Sequence, residues 1–186
     1  DEAIKWTMDA PIGYNINLML ADSNSKIALF QCVDGHKAYK ILDENSDETY
    51  LSATNHGLLD DIKPYERMLI ENSVIRNDRI VDLFERDRKI SKNDIKDLLS
   101  TSYPHGLCCH YYSEFFGTLR SMIFDTTEKT IEMTFGSPQV NEWHTFSVGA
   151  FDMEEMKVLL PQEKAGSDFF KITNAKRSSR ERRNCL

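Results

Sequence analysis

Apolar positions recur every second residue along most of the first fifty positions and every third or fourth along the next forty. Before the first alternating run, Ile4 and Met8 lie four apart, predicting helical turns closed by Pro11-Ile12-Gly13. A helix that begins on its first residue, with neither a cap nor an initiating Met, reads as a cut-down chain. From Tyr14 to Ala21, Ile16, Leu18 and Leu20 alternate with Asn15, Asn17 and Met19; Asp22-Ser23-Asn24-Ser25 turns into Ile27–Cys32. Period and turn chemistry together predict a hairpin. Val33-Asp34-Gly35 turns again into Lys37–Ile41, and after the acidic loop 43–48 a fourth strand ending Thr49-Tyr50-Leu51-Ser52 opens into Ala53-Thr54-Asn55-His56-Gly57. Four successive strands of this kind predict one antiparallel sheet.

The period then changes. Tyr65, Met68, Leu69, Asn72, Val74, Ile75, Ile80, Leu83 and Phe84 predict a helix from Pro64 to about Asp87, with Pro64 in its first turn. Ser91 caps a second helix, Asp94 stands at the capping-box position, and Ile95, Leu98 and Leu99 form its apolar stripe. Both helices are expected to cover one face of the sheet. Ser102–His110 is loop, punctuated by Pro104 and Gly106. Thr118–Asp125 and Thr130–Phe135 pair around a turn at 126–129, Gly136-Ser137-Pro138 ends that pair, and 143–148 adds a strand. Met153, Met156, Leu159 and Leu160 allow a short helix before Pro161. With no internal repeat and no low-complexity linker, the expected class is α+β, one domain built on a mostly antiparallel sheet with covering helices.

At 186 residues, 40% of them apolar and 10% aromatic, the chain can bury a genuine core. It contains neither an eighteen-residue apolar run nor a charged-then-apolar leader, so membrane spans and signal peptides are not expected. The net charge of −7 conceals a basic tail: residues 176–186 hold Lys176, Arg177, Arg180, Arg182 and Arg183 against Glu181 alone, leaving −11 elsewhere. Such a body disfavours nucleic acid as a partner, because phosphate binding needs a positive surface. The tail reads as a solvated end. Cys185, next to last, does not fit a prenylation box. Cys32, Cys108, Cys109 and Cys185 show no paired framework, which points to a reducing compartment and a cytoplasmic setting.

Polar side chains at the end of a strand are held on a rigid edge, a setting that favours chemistry at Thr54-Asn55-His56. The plainer alternative is a turn in which Thr54 or Asn55 bonds to nearby backbone and His56 faces solvent. Elsewhere, His105, Cys108, Cys109 and His110 resemble half of a zinc site to which Cys32 and His36 could add, though neither half carries a repeated CxxC. A Cys nucleophile with His110 as base is conceivable, but packing is the stronger explanation for Cys108 and Cys109. Asp60-Asp61 reads as a solvated helix start. The chain has no glycine-rich phosphate loop, GxSxG or HExxH. Neither a cofactor nor a metal is expected.

Thr54-Asn55-His56, Ser73-Val74-Ile75-Arg76, Leu107-Cys108-Cys109-His110, Thr118–Asp125 and Gly136-Ser137-Pro138 occur in an order and approximate spacing that resembles the acyl-coenzyme A:6-aminopenicillanic-acid acyltransferase family. That family is a relative of choloylglycine hydrolases and penicillin V acylases among the N-terminal nucleophile (Ntn) hydrolases. The resemblance covers roughly residues 3–149. It implies residues 1–149 as the C-terminal part of an αββα Ntn-hydrolase sandwich, with 150–186 a C-terminal extension. It implies cleavage or transfer of an acyl group at a linear amide by an N-terminal Cys whose own amine is the base. Asn55 would then donate its side-chain amide to the oxyanion, and His56 would orient the loop.

Two departures accompany the resemblance. Asp1 opens the chain where a Cys-started segment is expected, and Cys109 stands where the family usually has Arg. Arg76 and Arg120 are candidate replacement charges, although a helix pairing is the expected role of Arg76. The implied partners are a small acyl amide or acyl-CoA, and a nucleophile-bearing segment or another chain covering the sheet edge, with neither nucleic acid nor membrane. The alternative is a non-catalytic binding or structural protein that keeps the Ntn fold. The residues name neither the acyl group nor the amine.

Overall fold

The computed structural model describes residues 2–150 and 155–174. Its elements, in chain order, are α1 (Glu2–Asp9), β1 (Ile16–Ala21), β2 (Ile27–Val33), β3 (His36–Leu42), a 3-10 turn at Lys63–Tyr65, β4 (Met68–Ile70), α2 (Glu71–Phe84), α3 (Lys92–Ser100), β5 (His110–Tyr111), a 3-10 turn at Tyr112–Glu114, β6 (Phe116–Gly117), β7 (Arg120–Asp125), β8 (Thr130–Phe135), β9 (His144–Ser147) and β10 (Ile172–Asn174). The class is α+β, with named strands that all pair antiparallel. Two compact units divide the described residues, one formed by 2–77 with 168–174 and the other by 78–150 with 155–167; α2 carries the chain from the first into the second.

The first unit is built on the sheet β1-β2-β3. Ile16 opposes Cys32 across the first pair, and Ile27 opposes Leu42 across the second. From Ala28 to Val33 every residue of β2 is buried, so the central strand is covered on both faces and reads as an apolar run broken only by Gln31. Full burial of Phe30 contributes about 1.5–3 kcal/mol. Helix α1 packs on β2 and β3. Lys37 reaches from β3 to the carbonyls of Thr7, Met8 and Ala10, placing a cation at the negative end of α1.

The fourth strand expected at 49–52 does not form; residues 48–54 carry no regular structure. Side chains rather than a strand ladder hold the loop that follows, as described below. The helix expected from Pro64 begins instead at Glu71. Pro64 sits in the 3-10 turn, where its fixed φ suits the first position, and Met68–Ile70 is drawn out as β4 by pairing with Ile172–Asn174.

In the second unit Ser91 caps α3 as expected. Its side chain accepts from the Asp94 N–H, and the Asp94 carboxylate accepts from the Ser91 N–H, forming a full capping box. The Arg88 guanidinium and these cap bonds hold the Asp94 carboxyl well below the usual carboxylate range. Strands β7, β8 and β9 form one sheet, matching the expected pair and its added neighbour. Residues 155–160 carry no regular structure, and Met153 and the basic tail lie outside the described residues. Among those described, no helix is long and apolar enough to cross a membrane.

Candidate functional site

The loop that follows residue 53 owes its shape to four side chains from elsewhere in the first unit. On β2, Gln31 is fully buried and makes four hydrogen bonds. Its Oε1 accepts from the Leu58 and Leu59 N–H groups at 2.8 and 2.7 Å; its Nε2 donates to Asn17 Oδ1 at 2.8 Å and to the His56 carbonyl at 3.2 Å. Asn17, on β1, donates through Nδ2 to the carbonyls of Thr54 and His56. Glu66 Oε2 accepts from the Gly57 N–H at 2.8 Å. Ser73, at the start of α2, accepts the Asn55 N–H on Oγ at 2.7 Å, and its carbonyl accepts the Thr54 hydroxyl at 2.9 Å. Backbone groups that a strand would pair with a neighbouring strand are therefore satisfied by side chains. At Gly57 a Cβ would lie 2.7 Å from Ile62 Cγ2, in the packed core of this unit, so the bare backbone permits the close approach.

His56 turns inward. Its Nδ1 lies 2.8 Å from Ser73 Oγ and 3.2 Å from Thr54 Oγ1. Ser73 Oγ accepts from the Asn55 N–H and donates to Thr54 Oγ1 at 3.2 Å, so the imidazole joins a group that already links Ser73 to both loop residues before it. The imidazole is thus tied to the residue that fixes the Asn55 backbone.

Arg76, one turn beyond Ser73 on α2, uses one terminal nitrogen twice. Nη2 donates to Asn55 Oδ1 at 2.6 Å and to Asn72 Oδ1 at 2.9 Å. A guanidinium has no acceptor, so the Asn55 atom that faces it must be oxygen. The amide nitrogen is the remaining end, and among the described residues it has no hydrogen-bond partner. Asn55 is exposed and lines a cavity of about 230 Å³ with Asn15, Ile16, Asn17, Val33, Thr54, His56 and Glu66. The wall is polar, with the Glu66 carboxylate and three asparagine amides, of which Asn55 stands on the braced loop. Such an arrangement can receive a carbonyl oxygen on which negative charge develops.

The second unit holds a separate cluster. His110 Nε2 lies 2.7 Å from Ser137 Oγ and 3.2 Å from Cys108 Sγ; His110 Nδ1 lies 3.1 Å from Glu163 Oε1; Cys108 Sγ lies 3.0 Å from Ser137 Oγ. Cys108, His110 and Ser137 are each at most 1% exposed, so the expected Cys–His proximity is real but closed to substrate. Beside it, burial pushes the Tyr112 phenol up, and that hydroxyl donates to the Thr118 carbonyl. No group of three or more His, Cys, Asp or Glu side chains is placed to hold a metal ion among the described residues. Asp60 pairs with Lys63 in an exposed turn, the solvated role expected of Asp60-Asp61.

The structure thus gathers Thr54, Asn55, His56, Ser73 and Arg76 into one hydrogen-bonded group. Arg76 makes the expected pairing within its helix, to Asn72, and bridges to Asn55 as well. Asn17, Gln31, Asn72 and Glu66 were not foreseen. Of these only Gln31 carried a sequence signal, as the sole polar residue in the apolar run 27–33. A family model described as acyl-coenzyme A:6-aminopenicillanic acid acyl-transferase matches residues 1–140. No curated protein matches the chain.

Proposed function

Because the chain belongs to the acyl-coenzyme A:6-aminopenicillanic acid acyl-transferase family, we propose that it carries the oxyanion-stabilising part of a site for acyl transfer or linear-amide hydrolysis, with Asn55 Nδ2 as the donor. One observation carries this reading. Arg76 holds Asn55 Oδ1, and the opposite end of the amide is left to a residue lining a polar cavity. A donor fixed before charge develops stabilises the transition state without reorganisation, and losing one raises the barrier by about 2.7–4 kcal/mol.

The nucleophile is an N-terminal Cys borne by a segment outside this sequence, with its own amine as base. The thiolate attacks the acyl carbonyl carbon, and the C=O π pair moves onto oxygen, where the Asn55 N–H receives it. Collapse re-forms the carbonyl and expels the amine or thiol, which takes the proton held by the base. Attack by water or an acceptor amine on the thioester then frees the Cys. His56 orients the loop through Ser73. The antiparallel α+β content is what an αββα Ntn sandwich would draw from this chain, and the substrate is a small acyl amide or an acyl-CoA.

The protein as its source makes it should be incubated with panels of N-acyl amides and acyl-CoAs, and its products and any covalent adduct followed by mass spectrometry. The expected result is a hydroxylamine-sensitive acyl adduct on an N-terminal Cys, together with released amine or thiol. Absence of an adduct and of turnover across both panels would overturn the proposal in favour of a non-catalytic protein on the same fold.

A further inference from the structure

The Asn55 amide does not take its orientation from Arg76 alone. Asn72 is 3% exposed, and its Nδ2 donates to the Phe169 carbonyl at 2.8 Å. A carbonyl only accepts, so it fixes Asn72 with nitrogen toward residue 169 and oxygen toward Arg76. Arg76 has only hydrogens to offer, and one Nη2 supplies both Asn72 Oδ1 and Asn55 Oδ1. From this chain we infer that Asn72 and Arg76 are positioning residues that relay the Phe169 carbonyl to Asn55 and lock its amide nitrogen in the donating orientation. The relay rests on the reading of Asn55 as the oxyanion donor.

The relay assigns a role to a segment beyond residues 1–140, where the family match ends. The Phe169 ring is 1% exposed, packed edge-on against Phe170 at 4.9 Å between centroids. The segment is further tied down by the Glu71 N–H, which donates to the Lys171 carbonyl at 2.9 Å, and by the β4–β10 pairing. The carbonyl that starts the relay is therefore anchored by packing and by backbone bonds to β4 and to the first residue of α2. Its far end is an exposed amide, which without Arg76 would be free to rotate by half a turn and present oxygen to a developing oxyanion.

In the active, source-made protein, Arg76→Met is expected to lower kcat on the order of 10²-fold with little change in KM, the usual scale for a misplaced catalytic group. Arg76→Lys, which keeps a donor, should recover part of the loss. In an Asn55→Ala background, Arg76→Met should change kcat less than about twofold, because the group it positions is gone. An equal loss in both backgrounds would show a general structural role and overturn the relay. If Asn55→Ala itself leaves kcat unchanged, the parent reading fails instead.

Side-chain amide resonances of 15N-labelled protein test the relay without catalysis. The Asn55 pair, assigned by its disappearance in Asn55→Ala, should shift in Arg76→Met and also in Asn72→Leu, which does not touch Asn55. Unchanged Asn55 resonances in a folded Arg76→Met or Asn72→Leu protein would overturn the inference.

Discussion

Replacing Gln31 with methionine keeps the length of the side chain and removes all four of its hydrogen bonds. The Leu58 and Leu59 N–H groups lose their Oε1 acceptor, and Asn17 Oδ1 loses its donor. The His56 carbonyl keeps its bond from Asn17. Three groups are therefore stranded beside a fully buried position, each costing about 1–3 kcal/mol. Leu58 and Leu59 are half-buried, so water reaches part of the loop and the lower half of the range applies. The expected destabilisation is about 3–6 kcal/mol, a large part of the stability of an ordinary domain. Urea unfolding followed by circular dichroism reads the total. Amide hydrogen exchange at Leu58 and Leu59 reads the site, and both amides should lose protection while β2 keeps its own. A loss under about 1 kcal/mol with both amides still protected would refute the claim that Gln31 shapes this loop.

Gly106→Ala should destabilise the second unit by more than about 2 kcal/mol in thermal unfolding, because the added Cβ would overlap the Thr101 carbonyl and lie 2.8 Å from that of Leu98, both fixed backbone; a neutral result would show that the loop can move aside. Glu132 is bonded to Lys96 and Lys92, and the Lys96 ammonium foremost holds its carboxyl below the ordinary range. A depressed folded pKa gives stability that is present above the unfolded value, about 4.3, and is lost as pH falls through the folded one. The Tm difference between the wild type and Glu132→Gln should accordingly hold steady from pH 7 to pH 5 and close at lower pH; a gap unchanged at the acid end would contradict the pairing.

Local signals in the chain specify the elements whose formation local physics decides. Alternation and Asp-Ser-Asn-Ser placed the first hairpin, the Ser91–Asp94 spacing placed α3, and β7 with β8 followed from their own turn. The missing fourth strand and the late start of α2 have non-local causes. Met68–Ile70 extends because Ile172–Asn174 pairs with it, a hundred residues away, and 48–54 stays irregular ahead of a loop bonded to side chains on β1, β2 and α2. The order of the motifs brought Asn55, Ser73 and Arg76 into one family pattern. That they meet, and that Asn72 and Phe169 stand behind them, required the backbone path.

The central claim is that Asn55 supplies the oxyanion donor, and it is tested most directly by kcat for Asn55→Ala in the source-made protein acting on its best acyl substrate. A fall of about 10²–10³-fold, with KM little changed and the circular dichroism spectrum intact, is the expected result. Turnover equal to that of the wild type would contradict it.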